Sequence, residues 1–114
     1  MVFKVDIKDQ KSSLLFLLKG KLVNEEDATL LNQKVDHEIQ AGRHQLIFDL
    51  SALEQCNSSG LNVLIRTLTK ARTAQGDLIL CSLNEALQKI FTITKINEIF
   101  SIYATLEDAN KHFK

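Results

Sequence analysis

Two adjacent hydroxyls, Ser58 and Ser59, stand between Asn57 and Gly60 where a strand-length apolar run gives way to a helical stripe. The run, Gln45-Leu46-Ile47-Phe48-Asp49-Leu50, reads as a strand buried on both faces. Beyond the serines, Leu61, Leu64, Ile65, Leu68 and Ala71 share one face of a helix expected over 59–74. The first N–H groups of a helix have no internal partners and carry positive partial charge, so an anion is welcome there. A phosphate ester on one of these serines would occupy such a place.

The same residues also have plainer structural roles. A serine just before a helix is a common N-cap, which would explain one of the two, and Gly60 would relieve crowding in the first turn. Asp49, at its strand end, reads as an acceptor that anchors the following loop. Hydrolytic chemistry finds little support: His37, His44 and His112 fall in separate elements, and the serines lack a Gly-x-Ser-x-Gly elbow. No His, Cys and carboxylate cluster has metal-ligand spacing, and residues 51–60 lack the glycines and lysine of a phosphate-cradling loop. Cys56 and Cys81 sit among apolar residues and read as small hydrophobes. A non-enzymatic chain without metal or cofactor is the expectation.

The elements that position the serines fit one domain spanning 1–114. Hydrophobic residues make up 45%, charged residues 25%, and proline is absent, which describes a packed chain rather than a disordered one. Fourteen basic residues balance fourteen acidic ones, leaving no electrostatic footprint for direct nucleic-acid contact or an anionic membrane. No apolar run approaches the roughly 20 residues of a membrane span. Phe3, Val5 and Ile7 alternate with Lys4, Asp6 and Lys8, a strand pattern rather than a signal peptide, so a cytoplasmic location is expected.

Residues 2–8 and 14–19 read as strands joined by the polar turn Asp9-Gln10-Lys11-Ser12-Ser13. Asn24 reads as an N-cap, with Glu25, Glu26 and Asp27 at the positive end of a helix that buries Ala28, Leu31, Val35 and Ile39 and stops at Gly42. Strand 45–50, helix 59–74 and strand 78–81 form a βαβ unit, broken after the helix by Gln75-Gly76-Asp77. A further helix starts near Asn84 and buries Leu87, Ile90 and Phe91. A short strand around Ile102-Tyr103 and a last helix, with capping-box spacing between Thr105 and Asp108, close the chain. The expected fold is an α/β sandwich: a mixed, mainly parallel sheet with an N-terminal hairpin and about four helices. The 51–60 loop would lie exposed at one edge, on the rim where open α/β sheets place their sites.

Asp49-Leu50-Ser51, followed at fixed distance by Asn57-Ser58-Ser59-Gly60-Leu61, resembles the central signature of the STAS domain family, the bacterial anti-sigma factor antagonists and their relatives. Gly20-Lys21-Leu22 matches the family's Gly-x-Leu before the first helix, and Leu87 to Ile102 matches its third helix and following strand. The stretch Thr105–Ala109 looks like its closing helix. The family pattern carries Asp where this chain has Asn57, an amide that keeps hydrogen-bonding capacity without charge and can donate to a phosphate oxygen.

The resemblance implies a substrate and binding module. In such antagonists the first serine of the pair is phosphorylated by an anti-sigma factor that is itself a serine kinase of the GHKL ATPase type. The unmodified antagonist binds that kinase and frees a sigma factor, and the phosphorylated form does not bind. Carried over, Ser58 is the phosphoacceptor, while Gly20, Leu22, Asn24, Asn57, Ser59, Gly60 and Leu61 line the partner surface. Other branches of the family imply an alternative: a stressosome-type scaffold, or an adaptor bound to the ATPase of a lipid-asymmetry ABC transporter.

Overall fold

The polar turn after Asp9 folds the first two alternating segments into an antiparallel hairpin of β1 (Lys4–Asp9) and β2 (Leu14–Leu22). The computed structural model describes residues 2–113. Helix α1 (Glu25–Gln40) follows, then β3 (Gln45–Cys56), α2 (Ser58–Thr73), β4 (Asp77–Cys81) and α3 (Glu85–Ile93). A 3-10 turn (Ile96–Glu98), β5 (Ser101–Tyr103), α4 (Leu106–Asn110) and a closing 3-10 turn (Lys111–Phe113) complete the chain. The sheet runs β1-β2-β3-β4-β5, with all pairs after the hairpin parallel. The expected mixed sheet, N-terminal hairpin and helix count are all present.

Alternation along the strands sorts the core into two layers. Phe16, Leu18, Leu46, Phe48, Leu50, Leu78 and Leu80 form the larger cluster with the inward faces of α1, α2 and α3, and the Phe16 and Phe48 rings lie 5.0 Å apart. On the other face, Leu15, Ile47, Ile79 and Cys81 form a smaller cluster closed by Ala109 of α4. Burial on both faces is why the central strands carry unbroken apolar runs. Asn24, Asn84 and Thr105 cap α1, α3 and α4, accepting from the N–H groups of Asp27, Leu87 and Asp108. After α1, Gly42 takes φ +91°, the left-handed turn expected of a glycine there. Leu31 and Val35 are fully buried and Ile39 is half-buried; on α3, Leu87 and Phe91 are buried and Ile90 half-buried.

The expected 51–60 loop is corrected. Strand β3 continues to Cys56, β2 runs on to Leu22 rather than stopping at residue 19, and Leu22 pairs with Cys56. Two register shifts each admit extra residues of β3, between Asp49 and Ala52 and between Leu53 and Gln55. Such bulges keep a ladder bonded while breaking its period of two. Asp49 supports the first: its Oδ1 accepts from the N–H of Ser51 at 2.9 Å, inside a strand rather than a loop. Because β3 is the middle strand, the serines rise over the centre of the sheet's carboxyl rim and not at an edge.

Candidate functional site

Only Asn57 separates the end of β3 from α2. The N-cap of α2 is this asparagine, not either serine: its Oδ1 accepts from the N–H of Gly60 at 3.2 Å. Ser58 is therefore the first residue of the helix, one position earlier than expected, and it is exposed; Ser59 is half-buried. Asn57 Nδ2 donates to the carbonyl of Val23 at 2.6 Å, and the N–H of Asn57 donates to that of Leu22 at 3.3 Å. The amide is thus engaged at both ends by the fold, and one N–H of Nδ2 is left over for any phosphate on Ser58.

Because Leu22 and Cys56 pair in the parallel ladder, α1 and α2 start side by side just beyond them. The first turn of α1 carries Glu25, Glu26 and Asp27, whereas that of α2 carries no acid. The positive end of α2 is therefore not offset from within its own turn. Ser59 opens onto a groove of about 290 Å³ between the two helices, which also reaches Glu25, Asn62 and Arg66.

Residues expected to line a partner surface divide into two sets. Asn24, Asn57 and Ser58 are exposed and lie together, with Ser59 beside them. Gly20 and Gly60 are buried, Leu22 is 0% exposed and Leu61 6% exposed, so the side chains of these leucines present little or nothing at the surface. They shape the surface from below. Gly20 adopts φ +90° with Val2 O 2.6 Å from where a Cβ would stand, so the position admits only glycine without rearrangement. Sequence reasoning missed Val23, whose part is played by its backbone carbonyl, and the second bond of Asn84, whose Nδ2 ties the start of α3 to Leu53 O at 3.0 Å.

Cys56 and Cys81 are free and buried. Burial pushes the Cys56 thiol up to about 12 and the Cys81 thiol up to about 11. Both behave as packing groups. His112 lies against Tyr103 and Asp77, with its Nδ1 2.8 Å from the Tyr103 hydroxyl and its Nε2 3.4 Å from Asp77 Oδ2.

The STAS domain model matches residues 4–109. BtrV of Bordetella bronchiseptica, designated an anti-sigma factor antagonist, is 30% identical over 101 residues, covering 89% of this chain and 86% of that protein. The crystal structure of a protein designated an anti-sigma factor antagonist from Thermotoga maritima superposes with a TM-score of 0.85 at 25% identity, covering 97% of this chain and 93% of that one. SpoIIAA of Bacillus, solved in its phosphorylated form, shares the fold with a TM-score of 0.75 at 18% identity, covering 99% and 100% of the two chains.

Proposed function

The chain belongs to the STAS domain family, in which its relatives are anti-sigma factor antagonists, and from this we propose that it is a phosphorylation-switched antagonist with Ser58 as the phosphoacceptor. The observation that carries the reading is the placement of Ser58, exposed on the first turn of α2, which holds no acid of its own. An incoming kinase reaches the hydroxyl without unfolding the domain, and the helix start accepts the resulting charge. The partner is an anti-sigma factor serine kinase of the GHKL ATPase type. That kinase supplies the nucleotide and the base, and this chain supplies the hydroxyl and the docking face. Regulation of a sigma factor follows by partner exchange, and the chain itself catalyses nothing.

A phosphate brings about −1.5 to −2 charges at neutral pH. On Ser58 it would join Glu25, Glu26 and Asp27, neighbours across the paired helix starts, so the docking face changes from mixed to strongly acidic. A partner fitted to the unmodified face is then excluded by bulk and charge together. Mass spectrometry of the protein purified from its own cells should recover a serine kinase and phosphate on Ser58. Ser58→Ala should abolish the mass increase while leaving the circular dichroism spectrum unchanged. Recovery of a transporter ATPase, with no phosphate ever on Ser58, would replace this reading with the adaptor one.

A further inference from the structure

Asn57 ends in two groups of opposite sense, and the fold uses both. Its Oδ1 caps α2 through the N–H of Gly60 at 3.2 Å, and its Nδ2 donates to Val23 O at 2.6 Å. A carboxylate or a hydroxyl could supply the cap, but the bond to Val23 needs a donor on the same side chain. Val23 lies in the turn between β2 and α1, directly before Asn24, which caps α1 by accepting from Asp27 N at 2.8 Å. One asparagine therefore connects the turn that launches α1 to the junction that launches α2.

We propose that Asn57 is a positioning residue whose amide locks the Val23–Asn24 turn to the Ser58 junction, so that hydroxyl and turn are presented as one rigid surface. The consequence for recognition rests on the function proposed above; the lock itself does not. Backbone pairing alone does not reach this turn, because the ladder between β2 and β3 ends at Leu22 and Cys56. Beyond that pair, the Asn57 backbone bond to Leu22 O is followed by the side-chain bond to Val23 O. The side chain thus extends the connection one residue past the ladder, to the edge of α1.

Asn57→Asp separates the two roles. The carboxylate still accepts from Gly60, but at neutral pH it turns an acceptor toward the Val23 carbonyl. Protonation of that acid restores a donor. The lock in the variant is therefore regained as pH falls through the ordinary aspartate value of about 3.9, the opposite of a carboxylate that only caps, which holds the helix start less well once protonated. Glu25, Glu26 and Asp27 of α1 face the same junction in both proteins, so wild type at the same pH is the reference.

The test uses the unmodified protein alone: backbone 15N relaxation at Asn24 and Glu25, with amide exchange at Gly60, for wild type and Asn57→Asp at neutral pH and about pH 3.5. At neutral pH the variant should show a more mobile turn with Gly60 still protected, and acidification should close at least half of the difference from wild type at the same pH. A turn as rigid in Asn57→Asp as in wild type, or a mobility unchanged by acid, overturns the proposal. Asn57→Ala should loosen the turn and Gly60 together at both pH values, and a rigid turn there would also overturn it. With the serine kinase recovered with the protein, Asn57→Asp should raise KM roughly 3–10-fold with kcat unchanged, the loss expected for one hydrogen bond. If that kinase leaves wild-type Ser58 unmodified, the proposed function falls, while the relaxation result still decides the lock.

Discussion

Gly60 lies against the carbonyl of Leu22 so closely that a Cβ built on it would stand 2.7 Å from that oxygen, 2.9 Å from Leu22 Cγ and 2.5 Å from Cys56 Sγ. The contact lets α2 begin directly on the ends of β2 and β3. Leu22 O also accepts from the N–H of Asn57, so it cannot swing aside without breaking that bond. Gly→Ala in an exposed helix interior normally gains up to about 1 kcal/mol. Here the sign reverses: Gly60→Ala should lose about 1–3 kcal/mol, the range for overpacking. Urea unfolding measures it, and a stability equal to or above wild type would place the start of α2 farther from the sheet.

Charge at Ser58 should act on stability in a direction set by two helices. The start of α2 has no acid in its first turn and favours one by about 0.3–1 kcal/mol. The acids of α1, Glu25 foremost, oppose it from the adjacent start. Ser58→Glu is therefore expected to stabilise by less than about 1 kcal/mol at low salt, and Glu25→Gln should enlarge the gain. Added salt should shrink both effects. Denaturation midpoints at two ionic strengths check this, and a salt-independent loss would mean that the new carboxylate meets a buried acceptor instead.

The legible part of the fold is the part whose signals are local. Asn24 with three acids behind it, Gly42 and Asn84 each mark a helix end by chemistry confined to one turn, and each lies where expected. The upper half of β3 was not legible. Leu50, Leu53 and Cys56 are buried at every third position, because bulges absorb the extra residues, and a period of three fits no regular strand. Pairing with β2 supplies the order, and no residue of 51–56 announces that partner. The N-cap was hidden for a similar reason. Asn57, Ser58 and Ser59 are all good capping types, and the choice is made by the bond from Asn57 to Val23, 34 residues away in sequence. The site serines stood out because hydroxyl type and helix start are both local facts. The burial of Leu22 and Leu61, set by the packing of α1 and α2 on the sheet, was not.

The two cysteines should govern part of the alkaline stability. Their folded values, about 12 for Cys56 and about 11 for Cys81, lie above the ordinary thiol value of 9.0. Between these limits the native state holds protons that the unfolded chain has released. The thiols' contribution is therefore fully present below pH 9.0 and is lost as pH rises through about 11 and about 12. Cys56→Ala should flatten the fall above pH 9.0. Neither thiol should react with iodoacetamide at about pH 8 in the native state, whereas both should do so in denaturant. Rapid native labelling of Cys56 would show that the Gly60 contact opens readily.

Tyr103 offers a direct optical reading of how the chain's end is fastened, since it is the single tyrosine in a sequence without tryptophan. Its hydroxyl lies 2.8 Å from His112 Nδ1, and His112 Nε2 lies 3.4 Å from Asp77 Oδ2. In the tautomer that carries the ring proton on Nε2, facing Asp77, Nδ1 is the acceptor for the phenol. A phenol that donates to a base is quenched by excited-state proton transfer. His112→Ala should therefore raise tyrosine emission, and Asp77→Asn should raise it less, because the amide holds the ring more weakly. The stability loss for His112→Ala should be small, about 0.5–1 kcal/mol for one solvent-facing hydrogen bond, since Ala109 and the sheet beneath it stay packed. An unfolding midpoint unchanged alongside raised emission would still report a formed contact of little energetic weight. Emission identical to wild type would show that the closing turn at Lys111–Phe113 does not rest on Tyr103 in solution.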